Sequence, residues 1–310
     1  MKRFLIKLVK HIILIMCVFI SLEIIVSNHL RKCDDRRFKQ WNDIYFNHLK
    51  NDVVINGSSR AWVQYNPIIL DTILHVDSYN LGINGSFIER QIVKYNTYCR
   101  VQNHTPNCLI QNIDLWTIGI KTGFEREQFF PYFYFDKKLI EDVDKYEKFS
   151  SFEKYIPFCR YLKYHDLVLT SIGVLPNEKN ILCKGYTGFE KEWDGEAFKR
   201  QENIEYSADI ECIKLFMDFI SDVQSQGTKV IFVYAPIYIG VTNKMFDLDG
   251  MYEMFDTIAK KYDIPILDYN YDSICYDTAY FYNATHLNKK GSELFSIKLA
   301  HDIDSLGILN

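Results

Sequence analysis

The sequence predicts an α/β fold: a parallel β-sheet with helices on both faces, three layers in all, behind an N-terminal membrane anchor. Three observations carry this. Short apolar runs bounded by polar turn residues recur as Val53–Asn56, Val76–Leu81, Cys108–Asp114, Lys229–Ala235 and Ile264–Tyr269. Between most of them lie segments with apolar residues at helical spacing. A basic N-terminus precedes an apolar stretch. Strands buried on both faces read as continuous apolar runs, and strands alternating with helices imply a parallel sheet. A chain of 310 residues with 48% apolar content can bury one large core or two small ones.

Lys2, Arg3, Lys7 and Lys10 precede the apolar run Ile12–Ile20, which continues past Glu23 to Val26. That charge pattern predicts a single-pass anchor over residues 1–27, with the N-terminus in the cytoplasm and the rest of the chain outside it. The cluster Arg31, Lys32, Arg36 and Arg37 on the other side works against that orientation. No small-residue cleavage site follows, so the anchor is read as uncleaved. Leu14-Ile15-Met16-Cys17 is set aside as a lipoprotein site, because Met16 is large and the apolar run continues. The competing reading is a buried amphipathic helix, since the uncharged run is short for a full span.

Residues 28–52 read as a polar, partly helical juxtamembrane segment, and 53–310 as the α/β domain. Helices are expected over 61–74, kinked or restarted at Pro67, and over 87–101, 207–226, 251–262 and 288–305. Ile210, Ile213, Phe216, Met217 and Ile220 share one face of the third of these, and Asn288 can cap the last. Residues 115–206 break the alternation. This insertion carries the aromatic clusters Phe129–Phe135 and Gly185–Phe189. It reads equally as one wall of a substrate groove or as a structural cap.

Ligands of such sheets bind beyond the carboxyl ends of the strands. Gly57-Ser58-Ser59, the Gly82–Gly85 segment and Asp114 all fall there. His286 lies on a loop before the last helix, where it can take a proton from a serine hydroxyl. Each assignment has a plainer alternative. Ser59 can be a helix cap, His286 a structural loop histidine, and Arg60 either holds an anion or salt-bridges at the surface. The net charge of −4 is too mild to imply nucleic acid. No G-x-G-x-x-G follows the first strand, which argues against a dinucleotide. The eight cysteines form no C-x-x-C pair and no Cys/His cluster with zinc spacing. They read as isolated buried thiols, and no metal or cofactor is expected. Sequons at Asn56, Asn84, Asn103 and Asn283 are read as coincidence.

Gly57-Ser58-Ser59, Asn80-Leu81-Gly82-Ile83-Asn84-Gly85 and Asn283-Ala284-Thr285-His286, in this order, resemble three sequence blocks of the SGNH (GDSL-like) hydrolases. The resemblance covers about 53–305 outside the insertion, and implies a flavodoxin-like parallel sheet. It makes Ser59 the nucleophile and His286 its base. It places an oxyanion hole at the Ser59 and Gly85 N–H groups beside Asn84. The ending His286-Leu287-Asn288 followed by Gly291 is most similar to the membrane-anchored branch, including alginate O-acetyltransferase-like proteins. That branch implies an O-acetyl transferase or esterase acting on a cell-envelope or exported polysaccharide, with a glycan or acylated saccharide as substrate and envelope assembly proteins as partners. The alternative is a catalytically impaired relative that binds glycan or scaffolds such an assembly. Three positions depart from the family pattern. Asn283 stands where an aspartate orients the histidine, with Asp277 or Asp272 as substitutes. Ser58 replaces the aspartate of the first block. Asp114 is the nearest polar residue to the third-block asparagine, and a carboxylate there would repel an oxyanion.

Overall fold

The computed structural model describes residues 1–114, 117–119, 124–175, 183–195, 209–242 and 248–309. In chain order the elements are α1 (Lys2–Leu30), α2 (Arg36–Phe46), β1 (Val53–Asn56), α3 (Ser59–Gln64), α4 (Pro67–Leu74), β2 (Ser78–Asn80), α5 (Ile88–Gln102) and β3 (Cys108–Asn112). There follow α6 (Lys137–Asp144), α7 (Ser151–Tyr155), α8 (His165–Ser171), α9 (Ile210–Ser225), β4 (Lys229–Tyr234), α10 (Ile239–Thr242) and α11 (Leu248–Tyr262). The chain closes with β5 (Ile266–Asp268), β6 (Phe281–Asn283), β7 (His286–Leu287) and α12 (Lys289–Leu306). It divides into two compact units. One holds α1, α2 and α6–α8; the other holds every strand and the remaining helices. The start of the expected 207–226 helix, and residues 115–116, 120–123, 176–182 and 196–206 of the expected insertion, lie outside the described residues.

In the larger unit five parallel strands run in the order β2-β1-β3-β4-β5, the flavodoxin-like order in which the chain starts near one edge and winds outward on both sides. The register pairs Ile55 with Asn80 and Ile110, and Ile110 with Ile231. Val53, Ile55, Ile110, Ile231 and Val233 pack with Phe295, Leu299 and Ile303 of α12 in one core. On β4, Phe232 meets Phe216 of α9 and Phe255 of α11. The expected 61–74 helix is two helices. Pro67 cannot donate to the preceding turn, so α3 ends at Gln64; Asn66 Oδ1 then accepts the Ile68 N–H at 3.1 Å and caps α4 with Pro67 at its first position. Gly82 is required sterically, since a Cβ there would lie 2.3 Å from the backbone nitrogen of Trp62.

The smaller unit shows why the apolar N-terminal run tolerates a glutamate. α1 is one continuous helix, long and apolar enough to cross a bilayer. Glu23, Val26, Ser27 and Leu30 in its last turns are buried. The Glu23 carboxylate pairs with the Arg160 guanidinium, and accepts the Phe158 N–H at 2.9 Å and the Ser27 hydroxyl at 2.7 Å. Trp41 of α2 donates its indole N–H to Gln128 at 2.9 Å and packs edge-on against Phe129. Part of the expected insertion (124–175) therefore folds with the N-terminal helices, whereas 183–195 belongs to the sheet unit.

All eight cysteines are unpaired. Only Cys108, Cys212 and Cys275 are buried; Cys17 and Cys183 are exposed, which corrects the expectation that all are buried. Burial pushes the Cys108 thiol up to about 12, and those of Cys99 and Cys275 up to about 11.

Candidate active site

β1 delivers the chain to Gly57, whose φ of 150° and lack of Cβ let it pass 2.8 Å contacts to Ala61 and Asn112 that a methyl would make. The cap of α3 is Ser58, not Ser59. The Ser58 Oγ accepts the Arg60 N–H and donates to Asp114 Oδ2 at 2.7 Å. Ser59, the first residue of α3, is thereby relieved of capping. Its Oγ lies 2.8 Å from Nε2 of His286, 227 positions later in the chain.

His286 sits on the short antiparallel β6–β7 hairpin. Behind the ring, Asn283 Oδ1 accepts from Thr285 N at 3.1 Å, His286 N at 3.0 Å and His286 Nδ1 at 2.9 Å. Two backbone N–H groups converge on that atom, so it is the amide oxygen, not the nitrogen. Nδ1 must then carry the proton, leaving Nε2 bare to accept the Ser59 O–H. The Thr285 hydroxyl, 3.1 Å from Nδ1, closes the group. The Tyr282 ring stacks on the imidazole, 5.4 Å between centroids and 9° from parallel. Asp277 is not the orienting group. It is exposed, and its carboxylate caps a short turn through Ala279 N. Asp272 likewise caps Ile274 N and pairs with Lys298. Both carboxylates are held by local turns, so neither serves the ring.

Beneath the serine, Asp114 is buried and saturated. Its two oxygens take the Ser58 hydroxyl, the Asn112 amide at 2.8 Å, and the N–H and hydroxyl of Thr117. Asn112 also accepts from the Tyr65 hydroxyl at 2.8 Å. This network ties the end of β3 to the Gly57-Ser58 turn. Arg60 forms no salt bridge among the described residues. It is 2% exposed, and its guanidinium donates to the Ala235 carbonyl at the end of β4. The Ile83 N–H donates to Gly57 O at 3.1 Å, so the segment leading to Asn84-Gly85 runs along the end of β1. Asn84 and Gly85 themselves form an exposed turn with Gly85 at φ 60°.

Phe189, from the Gly185–Phe189 cluster of the expected insertion, gathers here with residues not singled out from sequence. Phe189 meets Trp62 at 5.5 Å and Tyr282 at 5.4 Å, both edge-on, and the Lys191 ammonium lies 4.8 Å from the Phe189 centroid. Phe189, Tyr282 and His286 are half-buried and Lys191 is exposed. The aromatic cluster around Phe189 was the available signal; Thr285 and Tyr282 flank motif residues but carry no motif of their own.

Burial, then the nearby Arg60 charge, brings the His286 imidazole down to about 4. Removing water and adding a like charge both disfavour imidazolium. The neutral base therefore persists well below the usual histidine range. The expected kcat/KM profile for a neutral ester stays flat from pH 7 to pH 5 and falls by half near pH 4. Arg60→Gln moves that limb to higher pH, as a plot of kcat/KM against pH would show. For stability, the unfolded histidine binds a proton that the folded one refuses. The contribution is absent above about pH 6.5 and turns destabilising as pH falls from there towards 4.

No protein-family profile matches the chain, and no curated protein matches it. Three solved structures similar to it are described as GDSL-like lipases or acylhydrolases. A candidate acylhydrolase from Bacteroides fragilis is 10% identical with a TM-score of 0.41, over 83% of this chain and 88% of that one. A candidate lipolytic protein of the G-D-S-L family from Desulfitobacterium hafniense is 12% identical with a TM-score of 0.40, over 80% and 97%. A GDSL-like lipase from Bacteroides thetaiotaomicron is 11% identical with a TM-score of 0.37, over 81% and 88%.

Proposed function

We propose that the protein is a membrane-anchored serine acyl-ester enzyme of the SGNH kind, an O-acetyl transferase or esterase acting outside the cytoplasm on a cell-envelope or exported polysaccharide. The observation that carries this reading is the relay Ser59 Oγ–His286 Nε2–Nδ1–Asn283 Oδ1 at 2.8 and 2.9 Å. Ser59 attacks the ester carbonyl while Nε2 takes its proton. The tetrahedral oxyanion is held by the N–H groups of Ser59 and Gly85, and removal of one such donor typically costs about 10²–10³ in rate. Collapse expels the alkoxide, which recovers the proton from Nε2, and leaves an acyl-Ser59 ester. Water then gives an esterase, and a sugar hydroxyl gives a transferase. The half-buried faces of Phe189 and Tyr282 beside the histidine support a sugar substrate, since aromatic walls with a few polar groups suit such ligands. α1 supports the anchoring.

The test is covalent capture. A fluorophosphonate probe added to the full chain in detergent is expected to label Ser59, identified by peptide mass, at a rate that His286→Ala lowers at least tenfold. An unlabelled Ser59 would end the enzyme reading. Asn283 at the orienting position favours one second reading: an impaired relative that uses the cleft to bind glycan. On that reading, binding survives Ser59→Ala.

A further inference from the structure

We propose that the unit built on α1 carries a site for the phosphodiester headgroup of an anionic phospholipid, drawn from the bilayer that α1 crosses. The site is a cleft of about 580 Å³ lined by Arg126, Lys148, Arg160 and Lys163 with Phe149, Phe152 and Leu162, and one carboxylate, Glu153. Its charge is in surplus. Arg126 is matched by Glu153 at 2.9 Å and Arg160 by Glu23. Lys148 has only Asp144 at 3.8 Å, and Lys163 has no ion-pair partner among the described residues. Arg160, 1% exposed, keeps an Nε–H with no hydrogen-bond partner there. Against these cations stand unusually exposed apolar groups, Phe152 at 69% and Leu162 at 48%. Cations beside exposed apolar side chains fit a ligand with a phosphate at one end and a hydrocarbon chain at the other.

The anchor explains why a lipid is the occupant. Phe4–Leu22 of α1 is 19 residues, about 28 Å of helix and close to the thickness of a hydrocarbon core, with Lys2 and Arg3 at its inner end and the Lys7 and Lys10 side chains snorkelling to that interface. Glu23, next in line, is the residue that pairs with Arg160 of the cleft. A helix that fills the core up to residue 22 puts this ion pair, and the cleft around it, at headgroup level. The headgroup phosphate then meets Lys148 and Lys163, and an acyl chain lies along Phe152 and Leu162.

This inference rests on α1 being a membrane span, which sodium carbonate extraction of membranes tests by itself: a chain that washes off fails the anchor reading. For the site, native mass spectrometry of the full chain would follow bound lipid during titration with phosphatidylglycerol or phosphatidylcholine in detergent. Phosphatidylglycerol is expected to bind the more tightly. Lys148→Gln and Lys163→Gln should each weaken it about fivefold, the usual effect of one basic residue near an anionic leaflet. Both side chains are solvent-facing, so the fold should tolerate the changes. Equal binding of the two lipids, or unchanged binding in the double variant, overturns the proposal. So does displacement by millimolar inorganic phosphate, which would indicate a free-anion site, or by a polysaccharide, which would indicate a glycan site.

Discussion

Ser59→Ala is expected to lower kcat/KM for p-nitrophenyl acetate by about 10²–10⁴, with the melting temperature unchanged. The lower bound comes from what a serine–histidine pair supplies without a charged third member. In a serine protease the full triad is worth about 2 × 10⁶ in kcat and losing its aspartate alone costs about 3 × 10⁴, which leaves roughly 10² for the rest. The upper bound reflects a difference in tautomer. Part of the protease loss arises because the amide substitute turns the ring the wrong way. Here two backbone donors fix the Asn283 oxygen towards Nδ1, so the bare nitrogen still faces the serine. Ser59 is half-buried and Ser58 does the capping, so the fold has little to lose. Equal rates in wild type and variant would remove acyl chemistry from this site.

Asn283→Asp is expected to raise kcat/KM about 10- to 100-fold and to lift the His286 pKa from its depressed value. The carboxylate can accept the same bonds from Thr285 N, His286 N and Nδ1, so the hairpin should keep its shape. What it adds is a negative charge 2.9 Å from Nδ1, which stabilises the imidazolium formed as Ser59 attacks and opposes the Arg60 charge. Rate and pH profile should move together, the acid limb shifting to higher pH. A faster variant with an unmoved limb, or a shifted limb without a rate gain, would mean that proton transfer through His286 does not limit the reaction.

The sheet was legible because its strands are buried on both faces, so Val53–Asn56, Cys108–Asn112 and Lys229–Tyr234 announce themselves as apolar runs without needing context. The pairing of Ser59 with His286 was legible because block order carries it across 227 positions. Less readable was anything set by a partner distant in sequence. Ser58 and Ser59 are chemically identical, and only the Asp114 carboxylate decides which one caps and which one is left for chemistry. Arg60 read equally as an anion holder or a surface cation, and its bond to the Ala235 carbonyl could not be seen in the sequence. Glu23 read as a flaw in an apolar run because its counterion, Arg160, lies 137 positions away. β6 and β7 are three- and two-residue strands, too short for any periodicity to show.

The thiols carry a consequence of their own. None is joined to another, and burial holds the enclosed Cys108 and Cys275 away from the thiolate form. Assembly of this chain therefore waits on no oxidant and no disulfide exchange. A reducing compartment thus permits this fold as readily as an oxidising one.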